Sequence, residues 1–348
     1  KIITLPLDFW QRFSMKKNAK MMSELAPIMA KLDKAYANDK NKLNQEKQKL
    51  YKKHGYNMLS GCLPMIVTMT IFFVMFGGLN QCSAYVNLKV YSELSVHYTD
   101  TLSAELSKHT EEYESKRYDI LLSGKSTAIE DYKTWLGGQG VAESAFDAEI
   151  SAATSRISQI KAEAQAEARK AVGEFYLEAK EGFLWITNIS RPDTWVESFP
   201  ETAEKFTGTL TKKYRAYKDE FDSELYGEIY KGISEQGVGY KVGDKHWNGL
   251  MILPVLSIAL SFLSTFISNK TSKKKNEEEQ QLDPNAAAAQ SSNKVMMFVM
   301  PVIMGVFGFV YTATFALYMV CSSLLSILFT LAMNPIIDRR IAKIESKV

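Results

Sequence analysis

Cysteine is nearly missing from this chain. Its three thiols, Cys62, Cys82 and Cys321, form no CxxC and no paired spacing, which leaves no framework for disulfides or a thiolate metal site. All three read as small apolar packing residues. Histidine is as sparse: His54, His97, His109 and His246 are scattered, none at ligand spacing. There is no P-loop, no HExxH and no GxSxG. We therefore expect no metal, no cofactor and no enzymatic activity. The opening residues also lack the basic n-region, apolar h-region and cleavage site of a secretory leader, so we expect either that the start has been removed or that the chain is a fragment.

Charge is missing from long stretches too. A heavily charged segment, KLNQEKQKLYKKHGYN, gives way within a few residues to Met58–Leu79, which holds 22 residues without a formal charge. At ~1.5 Å rise per residue such a run crosses a hydrocarbon core of roughly 30 Å, whereas a soluble core helix has no reason to change so abruptly. Residues 250–268 (LMILPVLSIALSFLSTFIS) form a second such run. Residues 295–333 hold 39 uncharged positions, too many for one crossing; divided near YTAT (311–314) they give two. With 23% charged residues overall, the chain cannot be membrane throughout. The fold class expected is all-α and polytopic.

The charged segments differ in sign. Residues 1–57 carry 13 Lys/Arg against 5 Asp/Glu, which marks the cytoplasmic side, because basic short segments resist translocation. Residues 80–250 carry 20 basic and 28 acidic residues, a net of −8, in agreement with an exterior location. The expected division is the end of a truncated span at 1–9, a cytoplasmic helical hairpin at 10–57 and a span at 58–79. An exterior helical insertion follows at 80–249. Spans at 250–268, 295–312 and 313–333 are separated by a cytoplasmic linker at 269–294, and a basic cytoplasmic tail fills 334–348.

Three-to-four spacing of Met15, Met22, Leu25, Ile28, Met29 and Leu32, resumed by Leu43, Leu50 and Tyr51 after AYANDKN, predicts the two helices of the hairpin. Its lysines are a solvated face or contacts to anionic headgroups. DNA is not expected, and ribosomal RNA is the one nucleic acid considered. In the exterior part, Leu102, Leu106, Tyr113 and Ile120 predict one helix, and Ile150, Ala153, Ile157, Ile160, Ala164, Ala168, Ala171 and Phe175 a second, with LGGQG (136–140) as the breaker. The pair is expected to meet along an alanine-rich seam of marginal stability. GFLWITNISRPDTW (182–195) has the composition of an interfacial segment, with Trp185 at headgroup level. Asn188-Ile-Ser190 fits a glycosylation sequon, relevant only in a eukaryotic secretory route. Residues 196–235 read as polar helix and 237–247 as a turn-rich connector.

HGYNMLSGCLPM resembles the helix-to-span junction of the YidC/Oxa/Alb membrane protein insertases. Lys53, Gly55, Asn57, Leu59, Gly61, Cys62 and Pro64 fit that pattern, and Met58 replaces its usual proline. The resemblance extends upstream through SMKKNAKMMSELAPIMAKLDKAYANDKNKLNQE and recurs at FLWITNISRPD, ILPVL, MMFVMPVIMGVFGF and ALYMVCSS. Residues 84–181 and 196–247 are left over as insertions. The family implies a water-filled groove open to cytoplasm and lipid, with a cation five residues before a Pro-Leu pair. Lys1 stands at that spacing before Pro6-Leu7, with lysine in place of the family's arginine, so the charge is kept and the planar fork of donors is lost. Thr68 matches a polar groove position, although its bland role is to bond back to its own helix. Tyr318 matches the first of a tyrosine pair whose second member is Met319 here, and Ser322 follows one turn on.

The implied activity is insertion and folding of nascent membrane proteins in a bacterial plasma membrane. Lys16, Lys17, Lys20, Lys47 and Lys52 of the hairpin would receive substrate. Arg339, Arg340 and Lys343 of the tail would touch the ribosome, and a Sec translocon would be a further partner. Two rival readings come from other classes. One is a membrane-anchored scaffold whose exterior helices bind an envelope partner. The other is a transporter, which the absence of paired intramembrane acids and inverted repeats disfavours.

Overall fold

The computed structural model describes residues 5–55, 59–273, 299 and 301–345, which divide into two compact units. The first comprises Lys1–Asn80, Pro192–Thr194 and Leu250–Val348, and the second Gln81–Arg191 and Trp195–Gly249.

In the first unit, α1 (Leu5–Ala35) and α2 (Lys40–Lys53) form the hairpin. Asp39 caps α2, its carboxylate accepting from the Lys42 amide at 3.0 Å. Leu25 and Met29 are buried at the contact, and the Tyr51 hydroxyl donates to Met29 Sδ at 3.7 Å. The next helix, α3, runs without interruption over Leu59–Ser107. The edge expected at Leu79 is therefore a change in hydropathy and not a helix end. Residues 80–107 contain no proline or glycine that would stop the helix.

α10 (Ile252–Lys273), α11 (Pro301–Val310) and α12 (Ala313–Glu345) complete this unit. The chain turns at Tyr311 and Thr312, where the Thr312 carbonyl accepts from the Phe315 and Ala316 amides and starts α12. α12 passes through Pro335, so the segment expected as a tail from 334 is helical to Glu345. Its buried face, including Ala313, Ala316, Val320, Ser323, Thr330 and Ile337, repeats every three to four residues. Gly305 and Gly308 let α11 lie against α10: a Cβ at Gly305 would sit 2.2 Å from Ile258 Cγ1.

The outer surface of these helices decides their environment. Phe73, Val74, Val255, Phe266, Val306, Val310, Leu328 and Leu331 are all exposed. Only 11% of the apolar window in Met69–Ser107 and 28% of that in Ala313–Lys343 is buried, so neither is the core helix of a soluble protein. This is an all-α membrane protein.

The second unit holds the C-terminal part of α3, from Gln81, then α4 (Thr110–Ser115), α5 (Tyr118–Leu122), α6 (Ala128–Gly138) and α7 (Phe146–Ala179). The single helix expected from Leu102, Leu106, Tyr113 and Ile120 is thus divided among α3, α4 and α5, with Arg117 in the left-handed region between the last two. The polar helix expected over 196–235 is also divided, into α8 (Ala203–Thr209), a 3-10 turn at Arg215–Glu220 and α9 (Ser223–Glu235). The side chains of Thr202 and Asp222 cap α8 and α9. The expected connector at 237–247 folds as an antiparallel hairpin, β1 (Tyr240–Val242) with β2 (Lys245–Trp247).

The seam between α7 and α9 is closer than alanine alone allows. Gly173 and Gly232 face each other there, and a Cβ on Gly173 would lie 2.4 Å from the Gly232 carbonyl oxygen. The Arg169 guanidinium donates to Glu228 at 2.7 Å beside this crossing. Large side chains supply what the alanines do not: Tyr176, Tyr226, Phe206, Leu94 and Ile229 form one buried core. Three phenols from α7 and α9 then hold the incoming chain at 197–200. Tyr176 donates to the Ser198 carbonyl at 2.9 Å, Tyr226 to the Pro200 carbonyl at 3.0 Å, and Tyr230 to Glu197 Oε2 at 2.8 Å.

Candidate functional site

The groove residues anticipated on α12 lie on one side of that helix. Tyr318, Met319 and Ser322 are each half-buried. Tyr318 lies beside α3, its ring 6.5 Å from that of Phe72. Lys1, and the side chain of Thr68, lie outside the described residues, so the structure does not bring the full set together.

Through Phe72, Tyr318 adjoins an aromatic cluster that the motif comparison passes over. Phe76 meets Tyr311 at 4.7 Å and Phe315 at 5.2 Å, both edge to face, and Phe315 is fully buried. Its signal was legible: Phe72 and Phe76, and Phe307, Tyr311 and Phe315, recur at four-residue spacing.

On the next face, α12 meets α10 through hydroxyls. Ser261 and Ser323 lie 3.2 Å apart in a hydrogen bond that either can donate. Most other hydroxyls along this seam turn back to their own helix: Ser257 donates to Pro254, Thr265 to Ser261 and Thr330 to Ser326 carbonyls. Those hydroxyls are satisfied within their own helices, and the Ser261–Ser323 bond joins the two.

The candidate cations are distributed differently from expectation. Lys47 is buried and ion-paired with Asp33 at 2.7 Å, which ties α2 to α1 and gives it a structural place. Lys17 and Lys52 are exposed, and the Lys20 side chain lies outside the described residues. Lys16 pairs with Asp338 at 2.7 Å, and the Arg340 guanidinium lies over the Phe9 ring at 5.7 Å, so α1 and α12 meet at this end. Nearby on α1, burial holds the Arg12 guanidinium below its usual range against the opposing pull of Asp8. Arg339 and Lys343 are exposed. Two basic sets read separately in the sequence are thus partly one cluster.

Within 182–195, Phe183, Leu184 and Trp195 are exposed, while Ile186, Asn188, Ser190, Asp193 and Thr194 are buried. Asn188 is inside, its side-chain amide donating to the Ser198 carbonyl at 3.0 Å, so the sequon asparagine is already engaged. Asn248 donates to the Asn188 carbonyl at 2.9 Å and accepts from the Asn188 amide at 2.8 Å. Burial lowers the pKa of Arg191, whose Nε donates to the Glu197 carbonyl. Asp193, fully buried in the first unit, accepts from the Met251 amide at 3.1 Å and the Leu253 amide at 2.8 Å, closing the N-terminus of α10 with a carboxylate.

These apolar helices, with the hairpin that precedes them, can be compared with known proteins. The sequence model of the 60Kd inner membrane protein family matches residues 1–122 and 170–340. The chain belongs to this family. Family members among the curated proteins include the membrane protein insertase YidC of Fusobacterium nucleatum, 46% identical over 81 residues, which are 23% of this chain and 38% of that protein. The insertase YidC of Clostridium perfringens is 42% identical over 76 residues, 22% of this chain and 30% of its own. That of Campylobacter jejuni is 40% identical over 76 residues, covering 22% and 14%. The chain therefore spans well under half the length of these relatives, and no solved structure matches it. The family match leaves 123–169 and 341–348 unmatched, and the internal gap is narrower than the two insertions left over by the motifs.

Proposed function

We propose that this protein inserts membrane proteins and assists their folding, without covalent catalysis. The observation carrying this reading is the family match on both sides of residues 123–169, which takes in the hairpin, the junction after it and the later spans. A nascent helix with polar flanks must enter hydrocarbon, where each unpaired polar group costs several kcal/mol. A hydrated recess beside α12, lined by Tyr318, Met319, Ser322 and Thr68 and charged by Lys1, would shorten that path and attract acidic flanks. The hairpin and the C-terminal end of α12 face the cytoplasm in this reading and residues 80–249 the exterior, supported by 13 basic to 5 acidic residues before 58 and a net of −8 over 80–250. Ribosome and Sec translocon are the proposed partners, and Arg339, Arg340 and Lys343, all exposed, are the basic side chains offered to the first.

The test is insertion of a panel of short membrane proteins by the purified full chain in proteoliposomes. Wild type should insert substrates with acidic translocated flanks, and Lys1→Ala and Tyr318→Ala should each insert them less well. No gain over empty liposomes would refute the activity. Equal performance of Lys1→Ala across acidic flanks would remove the groove charge alone.

A second reading, an anchored scaffold, is favoured by one feature of the second unit. A cleft of about 550 Å³ opens between α3, α4, α5 and α7, floored by Leu102, Leu106, Tyr113 and Ile157. Loss of an envelope association on filling this cleft by Ser103→Trp, with insertion unchanged, would support a scaffold role for that unit.

A further inference from the structure

The turn at Phe183–Ile186 presents an apolar side chain at a backbone angle that costs stability. Leu184 has φ +52, a conformation that residues other than glycine, asparagine and aspartate rarely adopt. The turn is closed on both sides of it, the Phe183 amide donating to the Ile186 carbonyl and the Ile186 amide to the Phe183 carbonyl, each at 2.9 Å. Gly182 is enclosed by the Ile186 and Thr187 carbonyl oxygens, at 3.2 and 3.3 Å from where a Cβ would be. Below it Ile186 is buried, and the Asn188–Asn248 pair fixes the stem. The turn is therefore held from beneath in the one arrangement that points Leu184 outward.

That side chain is 77% exposed, the highest value for any large apolar residue among those described, above even Val74 at 71% in the apolar half of α3. Phe183 next to it is exposed as well, and residues 182–190 carry no charge. Strained backbone spent on exposing leucine points to something that covers it. A folded partner would need several hundred Å² per side to bind stably, far more than a two-residue tip supplies, whereas an apolar tip needs only a hydrocarbon boundary. In sequence the tip lies nine residues before Asp193, which accepts from the amides at the start of the apolar helix α10, where Ile252 and Val255 are exposed.

We propose that the Phe183–Leu184 tip is a membrane anchor, seated among the headgroups and upper acyl chains of the leaflet on its side. This goes beyond insertase activity and needs only that the chain resides in a bilayer. The test uses the full chain with Cys62, Cys82 and Cys321 replaced by alanine, labelled with a bimane fluorophore at Leu184→Cys and reconstituted in phosphatidylcholine–phosphatidylglycerol vesicles brominated on the upper acyl chain. Phe183→Cys provides a second position at an ordinary backbone angle, and Ile129→Cys on α6, exposed in the same unit, provides the comparison. Emission at 184 and 183 should fall about twofold in brominated against plain vesicles, as expected for residence at the headgroup–acyl boundary, and emission at 129 should not. Equal quenching at 129, or none at 184 and 183, overturns the anchor. So does blue-shifted emission at 184 without quenching, which would mean that protein covers the tip.

Discussion

At the scale of single residues, buried polar groups do most of the specifying. Asp193 gives both carboxylate oxygens to amides at the start of α10, next to Met251 at φ +62. Asp193→Ala leaves those donors without this partner and should cost about 1–3 kcal/mol, with Asp193→Asn costing less because one acceptor survives. Thermal unfolding in detergent measures the difference, and an unchanged midpoint for Asp193→Ala would contradict the assignment. Tyr230 makes a prediction about pH. Burial first, then its hydrogen bond to Glu197 and that carboxylate's charge, push its phenol up to about 12. An unfolded tyrosine ionises near 10, so between about 10 and 12 the unfolded chain releases a proton that the folded chain keeps. The stabilisation is whole below pH 10 and is lost as pH rises through 12. Tyr176 and Tyr226 shift in the same direction, also through burial. Absorbance of tyrosinate should show a late-titrating class, and Tyr230→Phe should flatten the alkaline loss of stability; a slope identical to wild type would refute this.

At the scale of elements, two glycine contacts look alike and should respond differently. At the α7–α9 crossing the obstacle to a Cβ includes backbone, since a Cβ on Gly232 would lie 2.3 Å from the Arg169 carbonyl oxygen. Gly232→Ala should therefore destabilise the second unit by about 1–3 kcal/mol, and trimming Val172 should not rescue it. At Gly305 the nearest atoms belong to the Ile258 side chain. Gly305→Ala should destabilise alone and recover most of the loss when combined with Ile258→Ala. Midpoints of the four variants and the wild type, followed by near-ultraviolet circular dichroism, test the contrast. Rescue at 232 or its failure at 305 would show that the contacts are misassigned. The glycines themselves were visible in the sequence, but their partners, 59 and 47 positions away, were not.

At the scale of the molecule, the family match skips 123–169, the segment that supplies α6 and most of α7. If insertion belongs to the first unit, replacing 123–169 by a short flexible linker should change insertion in proteoliposomes by less than about twofold while lowering the stability of the second unit, whose core includes Ala168 from that segment. Loss of insertion with the first unit still folded would place part of the function in the second unit.

The sequence by itself determined the membrane class, because long uncharged runs are sums over many residues and survive local error. It also carried the hairpin, whose period is written in Leu25, Met29 and their neighbours. Only the tertiary structure decided that Lys47 is a buried tie and that Lys16 and Arg340 join one cluster. Only the fold, likewise, places Asn188 inside and Leu184 outside. A charge's partner, or the face a loop residue turns to solvent, depends on segments dozens to hundreds of positions away, and no local pattern encodes that distance.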